Sequence, residues 1–279
     1  MPRFWASSAT NCRRVLNRLS RKCSAIDEFR RSLHEVSIIA CMFPYDPALA
    51  TVVQSTPGSI ADVLTAMKSI DAMCVQGDGL KWFNWLYLQV TEAVENRVAG
   101  GRFNNPAWLS ELDVQFATLY FNALHANLTG SPCPGCWSAM FSDRDQVDLA
   151  RIQFTFAGMN AHINHDLSIA IVATCKATGT VPQHGTQEYD DYTSLNGSMD
   201  DLINSAKQTL NVRLLGDALP AASHIENTIA AWDLAAARET AWNTAQSLWQ
   251  EPPAVASAHM DVIDGLTAVI SKALLVAAP

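Results

Sequence analysis

An all-α domain is expected from three features of this 279-residue sequence. Helical periodicity recurs along most of the chain, punctuated by Gly and Pro. Alternating β-branched runs bounded by turns, the signature of strands, are scarce. Apolar residues make up 49% and charged residues only 16%, against about 25% in ordinary domains, so a large core lies under a lean polar surface.

The elements follow in order. "SAIDEFRRSLHEVSIIACM" opens on a Ser cap. "TPGSIADVLTAMKSIDAM" is a helix with Ser59 as its N-cap. "DGLKWFNWLYLQVTEAVENRV" begins at Asp78 and stops at Gly100-Gly101. "NPAWLSELDVQFATLYFNALHANL" begins with Asn105 as cap and Pro106 as first helical residue, and it ends before Gly130. A loop carrying "SPCPGCW" follows. A long central helix covers about Asp145 to Ala177, ended by Gly179 and Pro182. "EYDDYTSLNGSMDDLINSAKQTLNVRLL" reads as helix with a weak point at Gly197. "ASHIENTIAAWDLAAARETAWNTAQSLW" stops at Pro252-Pro253, and a last helix fills Ala256 to about Leu275. The expected organisation is a basic extension over residues 1–24 and one multi-helix domain over 25–279, with the long central helix buried.

Charge and cysteine usage exclude several classes. The net charge is −8, yet residues 1–31 alone carry eight basic and two acidic side chains. The rest of the chain is therefore strongly acidic and repels phosphates, so a nucleic acid partner is not expected. The Arg- and Ser-rich start resembles a transit peptide as well as a solvated extension. Seven scattered cysteines fit buried thiols in a reducing, cytoplasmic compartment. "CPGC" at 133–136 lacks a βαβ setting for redox use and alone cannot complete a four-cysteine zinc site. The most apolar stretch, Ile152 to Cys175, has His162, Asn164, His165 and Asp166 at its middle, so no membrane span is expected. P-loop, GxGxxG, HExxH and GxSxG motifs are absent, which argues against a nucleotide cofactor and a serine nucleophile.

The sharpest feature is "GMNAHINHDL", Gly158 to Leu167. At helical spacing His162 shares a face with His165 and Asp166, while Asn160 and Asn164 share the adjoining face. Apolar neighbours leave no wet side, so each polar group needs a partner. A divalent ion (Zn, Fe, Mn or Mg) held by His162, His165 and Asp166 would satisfy them. Asp166 could instead orient His162, as second partner to a metal ligand or as half of a metal-free acid–base pair. A purely structural network that fixes helix register is the remaining reading. Ligands from other elements would come from His224 and Asp233. His34, Glu35 and His125 are weaker candidates. Asp113 shares a face with Phe116, Ala117 and Tyr120, which is apolar company for a catalytic carboxylate. Asn84, Tyr87, Tyr120 and Asn122, with Asn160 and Asn164, are candidate polar fixtures of a substrate pocket, although the surrounding aromatics also suit a core. The acids of "EYDDYTSLNGSMDD" read as a solvated helix face.

Four blocks in order, "DGLKWFNWLYLQVTEAV", "FNNPAWLSELDVQFATLYFNAL", "GMNAHINHDLSIA" and "WDLAAARETAW", resemble the uncharacterised DUF5995 family from about Asp78 to Leu248. The resemblance implies a single all-α domain and carries no reaction with it. "HINHD" also resembles the His-x-x-x-Asp helix of zinc-dependent phospholipase C and the related P1-type nucleases. The chain lacks their full set of histidines, so one or two ions is the most this implies.

Together these features lead to an expected metal-dependent enzyme that hydrolyses an ester or phosphoester with an apolar portion, the ion activating water. The alternatives are a cyclase or isomerase working on an isoprenoid- or polyketide-like molecule by His/Asp proton transfer, and a non-catalytic binder of a small apolar ligand.

Overall fold

Caps and breakers set the helix ends largely as the sequence dictates. In the computed structural model the described residues are 43–216, 229 and 232–277. Helix α1 spans Asp46–Val53 and α2 spans Ile60–Met73, where Ser59 accepts a bond from the Asp62 N–H. Helix α3, Gly79–Ala99, starts on Asp78, whose carboxylate accepts from the Leu80 N–H. Helix α4, Pro106–Leu128, starts on Asn105, which accepts from the Trp108 N–H. Then come α5 (Gly135–Ser142), α6 (Arg151–Ala161), a π turn (His162–Asp166) and α7 (Leu167–Thr178), the last closed by Gly179 in the left-handed region at φ 71. Helices α8 (Gln187–Thr193), α9 (Asn196–Thr209), α10 (Leu234–Gln250) and α11 (Pro253–Leu274) complete the series. Among the described residues no strand forms beyond one isolated bridge between Ala150 and Arg213. From Tyr45 onward they belong to one unit. The expected helix at 24–42 and the domain boundary after residue 24 lie outside the described residues.

Three expectations need correction. The central helix starts at Arg151, not Asp145, because Arg144 is drawn into a buried network with Asp46 and Asp78 instead. The "CPGCW" segment, expected as loop, begins α5; the carboxylate of Asp264, on α11, accepts from the Gly135 and Cys136 N–H groups at 2.7 and 2.9 Å. A cap donated from 129 residues away leaves no local trace in the sequence. The helix at 188–215 breaks at Ser194-Leu195, before Gly197, and its acids are not all solvated. Asp191, 2% exposed, accepts from the Asn104 and Asn105 N–H groups, and Glu188 accepts from the Asn105 side chain, so these two anchor the start of α4.

The chain from Arg151 to Thr178 is the axial rod of the bundle. Its first half, α6, packs against α3 and α11; its second half, α7, packs against α4 and α10. The π turn lies where the rod changes partners, touching α4, α10 and α11. Two glycines permit the tight packing: a Cβ on Gly158 would enter the Phe83 ring, and one on Gly79 would enter Phe154. Helix α11 presents one face to this bundle and leaves Val255, Val262, Leu266 and Val269 exposed. By length and hydropathy it is the one helix among the described residues that could cross a bilayer.

Because the Phe83 ring is held against Gly158 by Tyr120, Trp137 and His162, Gly158→Ala should lower stability by about 1–3 kcal/mol, more than the helix propensity Ala contributes. Urea unfolding measures this; a midpoint at or above the wild-type value would show that Phe83 yields freely.

Candidate functional site

The π turn gathers the polar residues of "HINHD". In a regular α-helix His165 and Asp166, being adjacent, point about 100° apart. Here the turn widens, and the Leu167 N–H bonds back five residues to the His162 carbonyl. Both imidazoles thereby reach one carboxylate. Asp166 Oδ2 lies 3.0 Å from His162 Nδ1 and accepts from Trp137 Nε1 at 2.9 Å; its Oδ1 lies 2.7 Å from His165 Nδ1. All four side chains are buried. Burial works against charge on Asp166, but the bonds from His162 and His165 outweigh it, and the pKa is lowered. An ionised Asp166 accepts from both rings, so each Nδ1 carries a proton and Nε2 is the nitrogen left open.

His162 is 2% exposed, and its Nε2 has no hydrogen-bond partner among the described residues. The ring stacks on Phe116 with centroids 3.4 Å apart and planes 5° from parallel. Tyr87 stands edge-on at 4.6 Å, and Phe83, Tyr120 and Trp137 complete the cage. Burial, the largest influence, lowers the His162 pKa despite the bond to Asp166. His165 differs: burial opposes its charge too, yet the bond to Asp166 prevails and its pKa is raised.

A cavity of about 50 Å³ adjoins this cage, with His162, Tyr87, Phe116 and Met199 in its wall. A second, of about 40 Å³, shares Tyr87, Phe116, Met199 and Arg238 with it and adds Asp113. Asp113 Oδ2 and the Tyr87 hydroxyl are buried without partners among the described residues. So are Thr91 Oγ1 and Glu95 Oε2, which follow Tyr87 at four-residue steps on one face of α3. Desolvation, then the charge of Glu95, raises the Asp113 pKa from 3.8 to about 7. A base that burial keeps neutral and an acid that retains its proton up to about pH 7 therefore border two cavities that share wall residues.

The remaining expected residues go elsewhere. Asn122 is exposed. Asn84 donates to the Met67 carbonyl at 2.9 Å and receives Tyr120 at 3.5 Å, so both hold α2, α3 and α4 together. Asn160 donates to the Thr267 carbonyl and Ser271 Oγ, and Asn164 donates to Asn160 Oδ1; this pair ties the rod to α11. Asp233 is the N-cap of α10, accepting from the Ala236 N–H at 3.0 Å. His224, His34 and Glu35 lie outside the described residues. Three residues that sequence reasoning missed are Trp137, Phe116 and Asp264. Asp264 carried the same signal as Asp113, a carboxylate within an apolar helical stretch.

Asp113 makes a pH prediction. Between pH 3.8 and about 7 the unfolded carboxyl ionises while the folded one keeps its proton. The folded state then binds more protons, so stability falls as pH rises through this window. Asp113→Asn should remove that loss. Its stability relative to wild type should climb across the window by on the order of 4 kcal/mol and level off above it. Parallel stability–pH curves for the two proteins would refute the assignment.

Comparison with known proteins adds one match. No curated protein and no solved structure matches the chain. A profile of DUF5995, described as a family of unknown function, matches residues 60–277, which include every helix from α2 to α11. The chain is thus a member of the DUF5995 family.

Proposed function

We propose that the protein is a proton-transfer enzyme for a small apolar molecule, of the isomerase or cyclase class, with His162 as base and Asp113 as acid. One observation carries this reading: an imidazole held by Asp166 at Nδ1 keeps its Nε2 without a partner among the described residues, in an aromatic cage beside a cavity. Leaving a buried polar atom unpaired costs about 1–3 kcal/mol. A binder of a wholly apolar ligand gains nothing from that, and an apolar side chain there would serve it better. A general base needs it.

The same geometry weighs against one ion shared by His162, His165 and Asp166, because both Nδ1 atoms are already engaged with the carboxylate. In the proposed reaction His162 Nε2 removes a proton from carbon and Asp166 steadies the imidazolium that forms. Asp113 supplies a proton to the developing negative oxygen or carbon. The aromatic rings exclude water and so strengthen these charges. The cavity admits the reacting end of a substrate only; the rest of an isoprenoid-sized molecule, needing about 300 Å³ or more, requires the α9 and α10 side chains Met199, Ile203 and Leu234 to part.

Two measurements test this. Long-range ¹⁵N–¹H spectra of histidine-labelled protein should show His162 as the neutral, Nδ1-protonated tautomer below pH about 6.5, where a free imidazole is charged. Incubation with small cyclic enones in D₂O should exchange deuterium beside the carbonyl. His162→Gln and Asp113→Asn should each slow the exchange by about 10²–10⁴ with the fold retained. A charged His162 at neutral pH, or exchange that ignores both substitutions, would remove the reading.

A further inference from the structure

A second cluster lies on the other side of Asp166. Cys136 Sγ, a ring nitrogen of His165 and a carboxylate oxygen of Asp264 all lie within 4.8 Å of one another. They come from three elements: α5, the π turn and α11. Asp166 holds His165 Nδ1 at 2.7 Å, leaving Nε2 for a ligand. Asp264 accepts one backbone N–H on each oxygen, which fixes the carboxylate and leaves each oxygen a lone pair. Cys136 and His165 are buried and Asp264 is half-buried, so the cluster sits at the edge of solvent. Cys133 is not part of it, its sulfur lying against the Ala123 and Pro134 carbonyls.

Cys136, His165 and Asp166 invite comparison with a thiol nucleophile and its base. That chemistry needs an accessible thiolate. Cys136 is 0% exposed, and burial, then the charge of Asp166, pushes its pKa up. Asp264 also occupies the helix N–H groups that would receive an oxyanion. A cation reverses these objections, because two carboxylates and a thiolate are what it attracts.

We propose that Cys136, His165 and Asp264 bind one divalent ion of the zinc class, with Asp166 as the carboxylate that orients His165. The donors are one thiolate, one imidazole and one carboxylate, the set that zinc favours, and three protein ligands leave a fourth position for water. Around a tetrahedral ion ligand atoms stand about 3.5 Å apart, so small side-chain rotations close the site. Binding releases the Cys136 proton to solvent. Only His165 is shared with the ligand set that the sequence suggests, and the site does not depend on the proton-transfer role of His162.

Chelator-treated protein titrated with Co²⁺ provides the test. One ion per chain should bind, with a thiolate-to-cobalt charge-transfer band that Zn²⁺ abolishes. Cys136→Ser should eliminate the band, and Asp264→Asn should weaken binding at least tenfold. Cys133→Ser and His162→Gln should leave binding as in wild type, which separates this site from the proposed base. X-ray absorption at the zinc edge of wild-type protein requires no variant to fold; it should show one sulfur at about 2.3 Å with nitrogen and oxygen neighbours. Absence of stoichiometric binding, a two-sulfur shell, or binding that survives Cys136→Ser would each overturn the proposal.

Discussion

The buried carboxylate of Asp166 organises the centre of this protein. A lone charge at 2% exposure would be prohibitive, and three donors make it tolerable: the Trp137 indole and two imidazoles. Each donor constrains its own element. Trp137 ties α5 to the rod, and the two histidines require the backbone to widen into a π turn. Replacing a regular turn by a wider one weakens the helix locally, so the carboxylate and the backbone irregularity stabilise each other.

Helix α11 supplies the second constraint. Asn160 reaches its Thr267 carbonyl and Ser271 hydroxyl, Gln153 reaches the Leu274 carbonyl, and Asp264 caps α5. These bonds place α5 against the π turn and so bring Cys136 beside His165. The rod meets α11 through its first half and α10 through its second, and the polar turn occupies the join.

Several of the buried polar atoms without partners among the described residues lie around His162. His162 Nε2, the Tyr87 hydroxyl and Asp113 Oδ2 border adjoining small cavities and are buried without partners among the described residues. Such atoms lower stability, and these three lie along the walls of the two cavities. By contrast Arg144 joins Asp46 and Asp78, and Arg238, in the wall of both cavities, donates to Asn196 and the Tyr192 carbonyl.

Helical periodicity and local caps by themselves determined the all-α class and the starts of α2, α3 and α4, because Ser59, Asp78 and Asn105 act within three residues of themselves. Spacing also placed His162 and Asp166 on one face, four residues apart along one helix. Contacts made over long sequence separations were not legible. The cap of α5 by Asp264, the bond from Trp137 to Asp166 and the stacking of Phe116 on His162 each join residues that share no local pattern. Asn122 illustrates the limit from the other side: the aromatic motif around it suited a core or a pocket wall, and helix rotation turned Asn122 to solvent. Periodicity states which residues share a face; only packing decides what that face meets.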